Sequence, residues 1–419
     1  MGPIIDERQT SHGPELPRFR LGINYWPSNT AMRWWQRFDE KVVEQDFARI
    51  RSAGFDSVRI FLLWEDFQPT PDRISKQALT RLVRVADAAH ASSLSLLPTL
   101  FTGHMSGVNW FPRWALEPEN RSDSLSTAPR FRIVSGNQVI RGSAMNWFSD
   151  ETVGNAQERL AAAAAEALCG HPALWAWDLG NENSNCCVPP TRAAAVAWLE
   201  RMSTCIRAAD SKVAITIGLH MEDLIEDRRL GPQEAGRFCD FLCMHGYPIY
   251  ADFVESPTDE RLLPFLGLIT AWLGERQVLF SECGAPALRA GAMLDQARSA
   301  TPQKALLDEE SAATFTRRAL EQLHLFGFLG AMIWCYSDYA EELWNDPPLD
   351  EATWERWFGL WRADGSPKPA ATASGSFENL RQASPPGGFP WIDMERGEFY
   401  TRPREHLRRL YRRFCEQAG

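Results

Sequence analysis

The sequence predicts an α/β protein built as a (β/α)8 TIM barrel. Short apolar runs of strand length recur along the chain, and stretches with helical spacing separate most of them. Such alternation predicts a parallel sheet, and eight repeats within 419 residues fit a closed barrel. The alternative is a doubly wound open sheet. That fold favours a glycine-rich phosphate turn after its first strand, where this chain has GINYWP.

The elements follow one another in a regular order. Apolar runs with a polar tip predict strands at 20–24, 56–63, 94–100, 174–179, 213–218, 238–244, 277–280 and 330–334. Apolar residues at helical spacing predict helices at 42–53, 79–91, 156–169, 192–209, 262–273, 312–326 and 405–416.

Two segments extend this pattern within what we expect to be one catalytic domain, 1–419. The third strand is followed by an insertion, 101–151, in which FRIVSGNQVIRG reads as a hairpin around Ser-Gly-Asn. Residues 376–419 form a C-terminal helical extension. An insertion after a barrel strand is a common place for a substrate-binding loop.

Composition excludes several classes of partner. The net charge of −10 argues against nucleic acid. No apolar stretch reaches membrane-spanning length, and the N-terminus lacks the pattern of a signal peptide, so we expect a cytoplasmic protein without a membrane partner. Nine scattered cysteines favour free thiols over a disulfide framework. Seventeen tryptophans suit both a core and the stacking of sugar rings.

Polar side chains follow the predicted strands where barrel enzymes carry their active sites, at the carboxyl ends. Two glutamates give the strongest signal, because a carboxylate at an apolar barrel rim is costly unless it is paired or used. The candidate residues, in chain order, are Asn24, Arg59, Trp64, His104, Asn181, Glu182, His245, Tyr247, Glu282 and Trp334.

Three interpretations of the two glutamates compete. Facing carboxylates in different environments are the equipment for hydrolysing glycosides, with one held protonated and one anionic. Alternatively, each glutamate forms a structural ion pair with an arginine such as Arg59. A metal site is the third reading, because His104, His220 and His245 could cluster with a glutamate. Metal-dependent barrel hydrolases usually begin with a His-x-His pair on strand 1, and this strand ends in Asn24-Tyr25.

The motifs together resemble the retaining (β/α)8 glycoside hydrolases, and among them glycoside hydrolase family 5. The resemblance runs from about residue 20 to about residue 370. It is carried by Asn-Glu at 181–182, LFSECG around Glu282, Arg59 on strand 2, His-x-Tyr at 245–247 and Trp334. Longer phrases such as NYWPSNTAMRWW and FGLWRADGSPKPA are similar to the β-mannanase and β-mannosidase branch.

The resemblance implies a role for each residue. Glu282 is the nucleophile, stabilised as an anion by Arg59 and Tyr247, and Glu182 is the acid/base. Asn181 binds the sugar 2-hydroxyl, Trp334 forms the floor of the −1 sugar site, and His104 and His245 lie in that site. No metal or organic cofactor is implied.

Aromatic residues around the cleft bear on the substrate. Core packing explains many of them, but those of the insertion and of the segment after strand 8 could close the cleft into a pocket: Trp110, Trp114, Phe131, Trp147, Trp344, Trp354 and Trp357. We therefore expect an exo-acting β-glycosidase on short β-mannoside-type carbohydrates. The alternatives are an endo-β-1,4-mannanase, a transglycosylase, and a catalytically silent carbohydrate-binding barrel.

Overall fold

A computed structural model describes residues 17–117, 131–289, 291 and 306–418. Residues 118–130 of the predicted insertion lie outside the described residues. So do residues 1–16, the stretch in which no signal peptide was recognised, and Gly419, the last residue of the predicted extension.

Eight parallel strands close into a barrel, which confirms the predicted fold class. Each strand pairs with its sequence neighbours, and β1 pairs with β8 to complete the ring. The strands are β1 Arg20–Asn24, β2 Ser57–Leu63, β3 Ser95–Thr102, β4 Ala176–Asn181, β5 Ala214–His220, β6 Leu242–Gly246, β7 Val278–Cys283 and β8 Gly330–Ile333.

Helices surround this barrel. Among the described residues, the seven longest are α1 Glu40–Ser52, α2 Lys76–Ala91, α3 Glu151–Ala167, α4 Arg192–Ala209, α5 Leu262–Gly274, α6 Glu309–Leu325 and α7 Pro403–Ala418, each overlapping a predicted helix. Shorter α-helical segments are Trp64–Phe67, Asn183–Cys186, Glu222–Ile225, Pro232–Ala235 and Pro369–Gly375, and 3-10 segments are Ala31–Trp35, Arg113–Ala115, Pro248–Tyr250, Glu341–Leu343, Thr353–Trp357 and Arg396–Thr401.

The sequence sets where most barrel helices begin. The residue before the first turn of five of them carries a side-chain oxygen that accepts a backbone N–H of that turn: Asp39, Ser75, Asp150, Thr191 and Asp308. Such caps satisfy donors that a helix start leaves without a partner, and each contributes about 1 kcal/mol.

The insertion after β3 builds a small sheet of its own. Its strands are His104–Met105, Val108–Trp110, Arg132–Ser135 and Gln138–Ile140. The last two pair antiparallel across Gly136 and Asn137, both at positive φ, so the predicted hairpin is confirmed. Two further pairs of residues, Ala287–Leu288 and Leu307–Asp308, form a two-stranded sheet beside β7.

The C-terminal helix α7 packs on the outside of the barrel. It lies against α5, where Phe265 contacts the rings of Tyr411 and Phe414. All residues of α5 except Ala271 are buried, because the barrel covers one side of this helix and α7 helps to cover the other. That arrangement explains why α5 is apolar around its whole circumference.

All nine cysteines are free thiols, as predicted. Within the described ranges, no helix has the length and apolar character needed to cross a bilayer.

Candidate active site

Both candidate glutamates follow irregularities in their strands. The pairing of β4 with β5 shifts register between Asp178 and Asn181, and Glu182 then takes a left-handed conformation with φ 49°. The pairing of β7 with β8 shifts between Phe280 and Cys283, the stretch that carries Glu282. Bulges re-aim side chains, and backbone strain of this kind clusters at functional sites.

Two donors hold the carboxylate of Glu282. Arg59 donates from Nη1 to Oε1 at 2.7 Å, and the Tyr247 hydroxyl donates to Oε2 at 2.8 Å. Arg59 is fully buried and Glu282 nearly so. Hydrogen bonds from a cation and from a phenol both favour the ionised carboxylate. Burial raises the pKa of Glu282, and these two donors act against that effect. Arg59 and Tyr247 thus lie beside Glu282, where the sequence analysis expected them.

A second carboxylate, Asp178 on β4, holds the other side of Arg59. Its Oδ2 accepts from Nη2 of Arg59 at 2.6 Å and from Thr99 Oγ1 at 2.8 Å. Its Oδ1 accepts the backbone N–H of Gly218 at 3.0 Å. The sequence analysis missed this residue, although a charged side chain inside the apolar run LWAWDLG was a visible signal. Asp178 fixes the plane of the guanidinium that faces Glu282.

We expect Asp178→Asn to destabilise the fold by about 3–5 kcal/mol, because it removes the charge from one member of a buried ion pair. Arg59 would also lose the partner that orients it toward Glu282. Denaturant unfolding measures the free energy change, with Asp350→Asn, in a partly exposed pair, as the matched control. Equal stability of the two variants would contradict this role for Asp178.

Glu182 has different neighbours. Asn185 donates from Nδ2 to Oε2 at 2.8 Å, and His245 Nδ1 lies 2.9 Å from Oε1. His104 Nε2 lies 3.8 Å from Oε2. Burial raises the pKa of Glu182 above the ordinary range of a carboxyl group. None of these three neighbours is a permanent cation, so this environment favours the protonated form.

The histidine between the two glutamates is neutral at neutral pH. Burial lowers the pKa of His245 to about 4. Its Nδ1 also lies 3.5 Å from Oε2 of Glu282, so the ring approaches both carboxyl groups. Gly218 makes room for this packing, because a Cβ there would lie 2.9 Å from the Gly180 carbonyl oxygen and 3.3 Å from His245 Nε2.

The two glutamates lie close together. One oxygen of each, together with a ring nitrogen of His245, forms a group in which the three atoms lie within 4.8 Å of one another. Such a set of atoms could hold a metal ion. The hydrogen bond between His245 and Glu182 also explains why two of these three side chains lie close together. The three histidines predicted to cluster with a glutamate do surround Glu182, with ring nitrogens of His245, His104 and His220 at 2.9, 3.8 and 4.0 Å from its carboxyl oxygens. The other ring nitrogen of His220, Nε2, bonds Ser184 Oγ at 2.9 Å.

A cavity of about 560 Å³ opens above these residues, a volume suited to a small ligand. The predicted site residues that line it are His104, Asn181, Glu182, His245, Tyr247, Glu282 and Trp334. Asn181 Oδ1 accepts from Arg59 Nη2 at 2.8 Å and its Nδ2 donates to the His104 carbonyl at 2.6 Å, which fixes the amide at the cavity wall. Trp334 packs edge-on against Trp26, with 4.9 Å between ring centroids.

Three residues predicted to bind substrate, Trp64, Asn24 and Arg59, do not line this cavity. Trp64 is fully buried, and the helical turn that it begins directs its ring into an aromatic cluster with Trp114 and Phe101. Asn24 is also fully buried; it accepts from Arg59 and donates to the carbonyl of Ser281. Trp64 is therefore a core residue, and Asn24 helps to hold the guanidinium of Arg59 by accepting a hydrogen bond from it. Arg59 likewise contacts Glu282 and not the cavity.

One end of the cleft is bridged by an ion-pair strap, which we define as Arg132 with Asp350 and Glu351. Arg132 donates from both terminal nitrogens to Asp350, at 2.9 and 2.7 Å, and lies 3.0 Å from Glu351. The strap joins the insertion after β3 to the loop after β8. In the barrel order, β1 and β2 lie between those strands, so the strap spans the rim above β1 and β2.

The aromatic residues predicted to close the cleft divide into two groups. Phe131 and Trp354 line the cavity. Trp110 and Trp147 are buried, and Trp114 packs on Trp64, so these three serve the core of the insertion. Trp344 and Trp357 pack against each other and do not line the cavity.

The sequence analysis missed two further residues of this cavity, Asn185 and Glu355. Asn185 is held by Arg228, whose Nη1 donates to its Oδ1 at 2.7 Å. Asn185 lies three residues after Glu182 in a short helical turn, and Glu355 lies in a long loop. Neither position has a periodic pattern that would have predicted it.

No protein-family model matches the sequence, and no curated protein sequence matches it. Solved structures do. GH5_18 from Streptomyces cattleya in complex with GlcNAc shares 22% identity with a TM-score of 0.76, over 96% of this chain and 92% of that one.

The chain has the same fold. GH5_18 from Bifidobacterium longum subsp. longum ATCC 55813, a variant in complex with Manβ1-4GlcNAc, shares 20% identity (TM-score 0.70; 87% of this chain and 80% of that one). The exo-beta-1,4-mannosidase Op5Man5 from Opitutaceae bacterium strain TAV5 shares 24% identity (TM-score 0.66; 87% of this chain and 60% of that one).

Proposed function

We propose that this protein is a retaining β-glycoside hydrolase of the family 5 type. One observation carries the proposal: a buried glutamate, Glu282, and a partly buried one, Glu182, meet at the barrel rim with carboxyl oxygens within 4.8 Å, the first beside a buried arginine and the second beside neutral donors. Retaining glycosidases hold their carboxyl groups about 5 Å apart, and inverting enzymes about 6.5–9.5 Å, to admit a water.

The reaction then proceeds by two displacements. Glu282 attacks the anomeric carbon while Glu182 gives its proton to the leaving oxygen, so that a glycosyl ester forms on Glu282. Glu182, now anionic, takes a proton from the incoming water, which cleaves the ester. Arg59 and Tyr247 stabilise the carboxylate of Glu282 before the attack and again as it leaves.

The shape of the cleft supports exo action. Glu182 protonates the leaving group, so that group lies on the side of β4 and β5. The ion-pair strap links the loop after β8 to the insertion after β3, and we expect it to limit how far a chain can continue beyond the first sugar. The sugar we propose is a β-mannoside, since structures with this fold include one in complex with Manβ1-4GlcNAc and an exo-beta-1,4-mannosidase.

The alternatives fit the site less well. An endo-β-1,4-mannanase needs a cleft open at both ends. A silent carbohydrate-binding barrel has no need for two neighbouring carboxyl groups, one held by an arginine and a tyrosine and the other by an amide and a histidine. Transglycosylation uses the same residues, and a competing sugar acceptor distinguishes it by product analysis.

The rate should follow a bell-shaped pH profile. Activity falls as pH drops through the pKa of Glu282, because the nucleophile becomes protonated, and falls as pH rises through the pKa of Glu182, because the acid is lost. Burial raises the pKa of both carboxyls, so the optimum should lie above the ordinary glutamate value of about 4.3. Glu182→Gln, assayed on an aryl glycoside with a good leaving group, should lose the alkaline limb. An unchanged limb would contradict the assignment of Glu182.

We expect a chelator to leave the rate unchanged, because the proposed reaction uses protons and a carboxylate nucleophile only. The measurement compares initial rates before and after dialysis against EDTA. Loss of activity that added metal restores would instead assign Glu182, His245 and Glu282 to a metal centre.

The first test is a panel of 4-nitrophenyl β-glycosides, comprising the mannoside, glucoside, galactoside, xyloside and fucoside. We expect the mannoside to be cleaved, with mannose released in the β configuration in the first turnovers. Mannotriose reduced at its end should lose single mannose units from its non-reducing end. Initial release of α-mannose would overturn retention, and no cleavage of any glycoside or of the mannotriose would overturn the proposed function.

A further inference from the structure

A third buried carboxylate, Glu355, lines the same cavity and has no part in the two-displacement reaction. It belongs to the 3-10 segment Thr353–Trp357 in the loop after β8 and is 6% exposed. Burying a carboxylate is costly unless it is bonded or used. Glu355 therefore raises the question of what its charge does.

Its position is set by aromatic donors. Tyr250, in the segment after β6, donates its hydroxyl to Oε1 of Glu355 at 3.1 Å, and Trp354 Nε1 lies 3.0 Å from the same hydroxyl. Tyr250 also packs on Tyr247, with ring centroids 5.5 Å apart. Tyr247 in turn donates to Glu282. A continuous row of tyrosines thus connects the proposed nucleophile to Glu355 along one wall of the cavity.

Glu355 shares its loop with the strap that closes one end of the cleft. It follows Asp350 and Glu351 in the sequence, and Arg132, Glu351 and Glu355 all line the same cavity. The bond from Tyr250 ties this loop to the segment after β6. A sugar whose anomeric carbon faces Glu282 can therefore present hydroxyls to the loop of Glu355, away from a leaving group beside Glu182.

We infer that Glu355 is a specificity-determining residue that binds hydroxyl groups of the terminal, non-reducing sugar. A carboxylate accepts hydrogen bonds from several directions, so Glu355 can accept from a sugar hydroxyl in addition to the partners that hold it in place. Such bonds require free hydroxyls, which a sugar substituted at those positions lacks. They would also make the closed end repel a uronic acid. This inference rests on the proposed function and extends it to the choice of substrate.

The experiment combines protein variants with substrate analogues. Wild type and Glu355→Gln are assayed on 4-nitrophenyl β-mannoside and on its 3-deoxy, 4-deoxy and 6-deoxy analogues. We expect wild type to lose about 10- to 100-fold in kcat/KM on at least one analogue, the range for hydrogen bonds to a charged group. Glu355→Gln should lose a similar factor in kcat/KM on the parent substrate. For this variant, kcat/KM on that analogue should be nearly the same as on the parent.

Controls separate recognition from a structural role. Glu342→Gln changes an exposed carboxylate of the same loop and should behave as wild type. Glu355→Ala should show the same loss of discrimination, and thermal melting checks that both variants fold. A merely structural role would lower kcat/KM by the same factor on all four substrates, which would overturn the inference, as would a variant with unchanged kinetics. Failure of wild type to hydrolyse any of the four would instead overturn the proposed function, and the inference with it.

Discussion

Glu282→Ala should lose on the order of 10⁵-fold in kcat, a loss comparable to that seen when the nucleophile of a covalent mechanism is removed. The variant lacks the carboxylate that Arg59 and Tyr247 hold in the wild type, and water is a much weaker nucleophile in its place. Arg59 keeps its pair with Asp178 in the variant, so the buried guanidinium is not left without a partner. We therefore expect the fold to survive.

The measurement is release of nitrophenol from the mannoside, with circular dichroism and melting as the check on folding. Glu341→Ala, an exposed glutamate in the loop after β8, is the matched control and should retain full activity. Azide added to Glu282→Ala should restore turnover and give an azide of inverted configuration, since the small anion enters from the vacated face. Near-wild-type activity in a folded Glu282→Ala protein would refute the assignment.

Glu182→Ala should lower the rate of hydrolysis by a factor that depends on the leaving group of the substrate. General acid catalysis raises the rate by about 10²- to 10⁴-fold. A sugar leaving group depends on the whole of this enhancement, because it would otherwise have to leave as an alkoxide. A dinitrophenolate leaves without a proton. We expect the full loss on mannobiose, and on the dinitrophenyl mannoside a rapid first release followed by slow turnover, since water now lacks its base.

Pre-steady-state release of dinitrophenol tests this expectation. The burst should equal the enzyme concentration, and azide should speed the slow phase and give a product of retained configuration. Glu222→Ala, at the cavity wall but outside the two displacements, provides the comparison. An equal loss on both substrates, with no burst, would show that Glu182 is not the proton donor.

Much of the fold could be predicted because the strand–helix alternation is local in the sequence. All eight strands lie where apolar runs predicted them, apart from shifts at their ends. The largest shift is in β6, predicted at 238–244 and found at Leu242–Gly246. Residues 238 and 239 belong instead to a turn, in which the Cys239 N–H bonds the Ala235 carbonyl. An apolar run does not distinguish a buried turn from a strand.

Site residues could be predicted where the end of a barrel strand sets their position, and less well where a turn or a long loop does. Glu182 follows β4 and Glu282 lies near the end of β7, and a closed barrel brings such strand ends together. Trp64 also follows a strand, but a helical turn directs its ring into the core, and side-chain direction cannot be read from position alone. Glu355 reaches the cavity from a long loop whose path depends on tertiary contacts such as the bond from Tyr250.

The packing of α7 on α5 has a consequence for how this protein can be divided or recombined. A fragment ending at Gly375 would contain every barrel strand and every helix between them. It would nevertheless expose the outer face of α5, where Phe265 now meets Tyr411 and Phe414. Exposed apolar patches of this kind promote association between chains. The smallest portable unit of this barrel therefore includes the final helix, and a chimera that exchanges α5 must exchange α7 with it.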